Sequence, residues 1–192
     1  MRWKLPGTRR SRALGLGAVV TTAALAVGGV VVANGAGAAQ TATTRTTATT
    51  YRTQLIEMRT AGSAGYFYTA SQAEYLHAQT LRFRFTGQVP GYVSNRALRG
   101  TVPMYRLRNL SRSSYLLTLS TAERNKLSAS GQWRYEGVVG RVPLAAAADR
   151  VQIYRVSKNG VGWRVVRAAA VKAHLQAGWR MDGPLGYVWT HK

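Results

Sequence analysis

The sequence predicts an α+β fold: three pseudo-symmetric ββαβ repeats of about 48 residues, packed around a common core and preceded by an export signal helix. Three observations predict it. A five-residue pattern (aromatic, Arg, bulky apolar, polar, Gly) occurs as "FRFTG" at 83–87, "WRYEG" at 133–137 and "WRMDG" at 179–183. Residues 66–74 align without gaps on residues 115–123, and both stretches contain S-x-x-E, at Ser71 to Glu74 and Ser120 to Glu123. Short runs of alternating character precede each copy, as strands with one buried face do.

Within a copy, "LIEMRT", "MYRLRN" and "IYRVSK" are the first strands. "TAGSAG" and "NLSRS" are turns leading into second strands at "GYFYTAS" and "SSYLLTLS", so the opening of each unit reads as a hairpin. The S-x-x-E pairs are capping boxes: the Ser hydroxyl accepts the amide hydrogen three residues on, and the Glu reaches back to the Ser amide. Helices follow at "QAEYLHAQ", "TAERNKLSAS" and "AAVKAHLQA". The third has Ala168 and Val171 in place of the cap pair and should start less sharply. Gly131 and Gly178 stand where a left-handed residue ends a helix. The pattern that began the comparison then returns the chain to the sheet. Trp133 and Tyr135 share a buried face there while Arg134 points the other way. The final Gly supplies a conformation or close approach that a Cβ would block. Glu136, Asp182 and Thr86 are expected to bond neighbouring backbone amides.

One unit is too small to bury its apolar face, so the three share a core in a single domain at 51–192, with repeats at about 54–92, 102–142 and 151–190. Ahead of it, "MRWKLPGTRRSR", an uncharged run at 13–33 and the small residues of "ANGAGAAQ" have the order of an export signal, ending near residue 38. The alternative is a permanent anchor, because about 20 apolar residues span a bilayer. Residues 39–50, "AQTATTRTTATT", form a Thr/Ala-rich linker expected to be disordered. The protein is therefore expected outside the cell, secreted or associated with its surface, and monomeric.

The chain has no cysteine, which excludes disulfides and Cys-based metal sites. It has 27 Lys and Arg against 6 Asp and Glu. A positive field of that size attracts anionic polymers such as teichoic acid or nucleic acid, although no specific nucleic-acid motif is present. Six carboxylates, two of them assigned to caps, do not assemble a catalytic pair. His77, His174 and His191 have no metal-ligand spacing. No G-x-S-x-G elbow, phosphate loop or G-x-G-x-x-G occurs. The expectation is a non-enzyme without a cofactor.

The stretch "PMYRLRN…SSYLLTLSTAERNKLSASGQWRYEGVVGRV" resembles a three-fold repeat domain of unassigned function found in secreted bacterial and some fungal proteins. A unit of that family reads approximately V-Y-R-L-Y-N, H-F-Y-T-T-S, A-E-R-x-x-L and G-W-x-Y-E-G. The second copy matches strongly, the first less so and the third thinly. Because such domains are often attached to cell-wall or polysaccharide hydrolases, the resemblance implies an accessory binding role at a surface. Where the family has His before F-Y-T, this chain has Tyr66, Tyr115 and Trp163.

Candidate ligand-binding residues follow from both lines. Tyr66, Tyr68, Tyr115 and Trp163 are aromatics able to stack on sugar rings or to pack in a core. Arg84, Arg134 and Arg180 occupy one slot of every copy, where they hold an acidic polymer or form a solvated face. The expected partner is cell-wall or other surface polysaccharide, or else an anionic polymer or a protein partner in a scaffold. A membrane enters only through an uncleaved leader.

Overall fold

The computed structural model describes residues 51–63 and 65–192. The expected signal segment and linker lie outside the described residues. The rest is mostly antiparallel sheet with three short α-helices, an α+β fold.

The order strand, strand, helix, strand runs through the chain three times. The first segment holds β1 (Arg52–Arg59), β2 (Tyr66–Thr69), α1 (Gln72–Thr80) and a return strand broken into β3 (Arg84–Phe85) and β4 (Gly91–Ser94). The second holds β5 (Thr101–Asn109), β6 (Tyr115–Thr118), α2 (Thr121–Ala129) and β7 (Trp133–Pro143). The third holds β8 (Arg150–Lys158), β9 (Gly162–Arg167), α3 (Val171–Gln176) and β10 (Arg180–Trp189). In each segment the first strand pairs antiparallel with both the second and the return strand.

Burial explains why these strands gather. One cluster draws Leu55, Tyr68 and Val93 from the first segment, Met104, Leu117 and Val142 from the second, and Ile153, Val165 and Val188 from the third. Each trio takes one residue from the first, second and return strands. Fully burying an aliphatic side chain contributes about 1.5–3 kcal/mol, and no segment holds more than a share of this core. The return strands meet at its centre, where β4 bridges β10 at Tyr92 and Trp189, and β7 at Ser94 and Arg141. Glycine permits that approach. A Cβ on Gly140 would lie 2.4 Å from Val93 Cγ2, and one on Gly91 would lie 2.4 Å from Val188 Cγ2.

The helix starts differ from expectation in one respect. The Ser71 and Ser120 hydroxyls do accept the Glu74 and Glu123 amides, at 3.3 and 3.1 Å. The reciprocal half is absent. The Ser71 and Ser120 amides donate instead to the hydroxyls of Thr69 and Thr118, each at 3.0 Å. A Thr two residues upstream thus satisfies the orphan amide and releases the Glu side chain for other work. The third helix has no side-chain cap and follows a 3₁₀ turn at Ala168–Ala170.

Candidate functional site

The pattern "WRYEG" has a separate task at each position. Its first aromatic seals a seam between segments. Trp133 meets Trp163 edge-on at 5.0 Å, Phe83 meets Tyr115 at 6.3 Å and Trp179 meets Tyr66 at 6.1 Å. In each pair a residue at or just before the return strand of one segment contacts the second strand of the next, with the third segment contacting the first.

The third residue does not face the core as expected. Phe85, Tyr135 and Met181 are 46%, 39% and 48% exposed. Tyr135 lies against Tyr105, with ring centroids 5.9 Å apart, and the Arg124 guanidinium stands 5.3 Å from its ring. Tyr135 therefore rests on an outer surface although Trp133, on the same strand, is buried.

The fourth residue overturns a second expectation. Glu136 and Asp182 bond arginine side chains, not backbone amides. In β7, Tyr135 pairs with Leu107 and Gly137 with Arg106, leaving Glu136 as an extra residue; in β10, Asp182 is likewise extra between Met181 and Gly183. A β-bulge re-aims the side chain it carries. Here it turns Glu136 onto Arg106 at 3.1 Å and Asp182 onto Arg155 at 3.3 Å. Gly137 and Gly183 follow with φ of 118° and 146°, values a side chain disfavours. Thr86 keeps a backbone bond, accepting the Gln88 amide, and also donates to Glu57.

Arg106 and Arg155 reach onward to the preceding segment. The Arg106 fork binds the Glu74 carboxylate, its Nη1 standing 3.0 Å from Oε2, and donates to the Tyr68 carbonyl at 2.8 Å. The Arg155 fork binds Glu123 at 2.9 Å twice and donates to the Leu117 carbonyl at 3.2 Å. These guanidiniums hold the Glu74 and Glu123 carboxyls below the usual range although burial alone pushes both up. At the third seam the signs are exchanged. Glu57, 1% exposed, takes the β1 slot and accepts from Arg164 Nε and Nη2 at 3.0 and 2.8 Å, and from the Tyr68 hydroxyl at 2.6 Å. Burial, and then the Glu57 carboxylate, push the Tyr68 hydroxyl well above the usual phenol range.

With Arg52 and Arg150 on Asp149, all six acidic residues of the chain are held by arginine. Between residues 51 and 192 the Lys and Arg number 21, so most of the basic charge has no acidic counterpart on the domain.

The sequence-predicted aromatics separate. Tyr66, Tyr68 and Tyr115 are buried and present no ring face to a ligand. Tyr66 lies between the Arg59 and Arg164 guanidiniums, 4.5 and 4.7 Å from its ring, and Tyr115 packs 5.0 Å from Phe67. Tyr68 is a core residue whose hydroxyl donates to Glu57 and accepts the Val165 amide at 2.8 Å. Trp163 is half-buried and lines an open groove of about 480 Å³ with Trp133, Leu127, Arg180 and Met181, floored by Arg155 and its two carboxylates. The groove thus brings together two of the predicted residues, Trp163 and Arg180.

Arg84, Arg134 and Arg180 are exposed on β3, β7 and β10, one in each segment. Each faces its own first strand: Arg84 pairs across with Arg59, Arg134 with Arg108, and Arg180 with Ser157. Sequence reasoning missed Glu57 and the inward role of Arg106 and Arg155. The available signal was their common slot in "LIEMRT", "MYRLRN" and "IYRVSK".

Fold and groove together define a small α+β domain whose charged groups cross-link segments and whose aromatic groove faces outward. The chain belongs to the family described as DUF5648, a domain of unknown function, whose sequence pattern matches residues 54–189. Comparison with curated proteins and with solved structures finds no match.

Proposed function

We propose that the three ββαβ segments are copies of one unit and that the domain is an exported, non-catalytic binding module for cell-wall or other surface polysaccharide. Like positions making like contacts support the copying: the core trios, the motif aromatic at each seam, and the Arg106 and Arg155 clusters. The single observation that carries the binding role is Trp163 in its open groove beside Arg180 and Met181. A half-exposed indole stacks on the apolar face of a sugar ring. Arg180, Arg155, Glu123 and Asp182 then offer donors and acceptors to its hydroxyls. The absence of catalysis is supported by the engagement of every carboxylate with arginine, which leaves none poised as acid or base. Retention of the protein on insoluble cell wall and on chitin, with Trp163→Ala beside it, tests the role. Binding that survives the substitution unchanged removes the groove from it.

A second reading is charge-driven binding of an anionic polymer. The excess of 21 Lys and Arg over 6 Asp and Glu between residues 51 and 192 favours it, because a positive field of that size attracts polyanions. Charge-driven retention falls steeply with salt, whereas stacking on a neutral glycan does not.

A further inference from the structure

Each seam carries a cavity, and the three are built from corresponding residues. The first-to-second seam is lined by Ala70, Ser71 and Glu74 with the Gly137 to Val139 strand; the second-to-third by Leu119, Ser120 and Glu123 with Gly183 to Leu185. At the third-to-first seam, Arg167, Ala170 and His174 stand opposite the stretch from Gly87 to Pro90. The volumes are about 120, 210 and 370 Å³.

The charge changes sign along with the size. The first two cavities hold one guanidinium and two carboxylates: Arg106 with Glu74 and Glu136, and Arg155 with Glu123 and Asp182. The third holds two guanidiniums, Arg164 and Arg167, and one carboxylate, Glu57. The cap acid of the other copies is Val171 here, and the apolar wall position of Ala70 and Leu119 is Arg167.

We infer that the third cavity binds the carboxylate of an acidic sugar unit, a hexuronate, with Arg167 as its main contact. This rests on reading the segments as copies, but not on the Trp163 groove. Glu57 is fully engaged and neutralised by Arg164. Arg164 also donates Nη1 to His174 Nε2 at 3.1 Å, so that nitrogen is an acceptor, and His174 Nδ1 donates to the Ala170 carbonyl at 2.8 Å. Both His174 ring nitrogens are thereby engaged within the wall. Arg167 differs. It is anchored by donating Nε to the Pro90 carbonyl at 2.7 Å and Nη2 to Val89 at 3.2 Å, and no carboxylate among the described residues pairs with it. With Nε and one Nη2 hydrogen so engaged, Nη1 and the second Nη2 hydrogen are left for the bidentate contact that matches a carboxylate. Val89, Val166 and the Gln88 amide complete the walls. The space equals about a dozen waters, more than an isolated carboxylate needs and comparable with one pyranose ring bearing it.

Calorimetric titration of the full chain with glucuronate, glucose and inorganic phosphate at low ionic strength tests the assignment. Glucuronate is expected to bind at one site. Arg167→Leu, which installs the residue of the second copy, and Val171→Glu, which restores the cap acid, should each weaken it at least tenfold, while Trp163→Ala leaves it unchanged. Equal glucuronate affinity in Arg167→Leu, glucose binding as tightly as glucuronate, or phosphate binding with glucuronate silent would each overturn the inference. Loss of polysaccharide retention in Trp163→Ala alone bears on the groove and not on this cavity.

Discussion

Arg106 of β5 grips Glu74 of α1 across the seam between the first two segments, with Nη1 3.0 Å from Oε2, while its Nε holds Glu136 on the bulge of its own segment at 3.1 Å. The guanidinium side chain is only 8% exposed and lies 4.5 Å from the Phe67 ring. One cation thus ties a helix start, a bulged strand and an aromatic cluster together.

Replacing Arg106 with Met should destabilise the domain by about 3 kcal/mol, because Glu74 then loses its counter-charge at the seam and Glu136 keeps only the exposed Arg134. Urea unfolding measures it. The double variant with Glu74→Gln should regain part of the loss, the signature of direct coupling. Strict additivity would show that the pair acts independently.

Acid should weaken the seams. The folded Glu74 and Glu123 carboxyls lie below their ordinary value of 4.5. The stability they contribute is fully present above that value and is lost as pH falls through the lowered folded values. The unfolding midpoint should therefore drop between pH 5 and the acid limit, and Glu74→Gln with Glu123→Gln should flatten the profile. A profile unchanged by both substitutions contradicts the assignment.

Gly140→Ala is expected to cost about 1–3 kcal/mol by overpacking β7 against Val93. The strain should be relieved in part by Val93→Ala, which removes Cγ2 at 2.4 Å but keeps the Cβ at 2.9 Å. Thermal unfolding of the single and double variants checks this, and a harmless Gly140→Ala would mean that the central strands are not held as closely as described.

The two tryptophans of one seam should separate stability from binding. Trp133→Ala removes a buried ring and is expected to cost about 3–5 kcal/mol. Trp163→Ala removes a half-exposed one, so it should reduce stability less while lowering retention on cell wall or chitin several-fold. If the two lose binding only in proportion to stability, Trp163 has no separate contact with ligand.

Much of the fold was legible because local chemistry dictated it. The alternation in "MYRLRN", the Ser hydroxyls at 71 and 120, and Gly131 and Gly178, which adopt φ of 70° and 79°, each act within a few residues of themselves. The candidate site was less legible. Tyr66, Tyr115 and Trp163 occupy one slot, yet the first two are buried while Trp163 lines an open groove, and nothing in a single segment distinguishes them.

The sequence by itself determined the order of strands and helices, the basic character and the shortage of carboxylates, since these depend on residue type and near neighbours. Only the tertiary structure decided where the charges go. A bulge that turns Glu136 inward, a Thr that frees Glu74 from its cap, and an Arg164–Glu57 pair spanning 107 positions all arise from surfaces meeting at seams. Such contacts have no periodicity for a linear pattern to display.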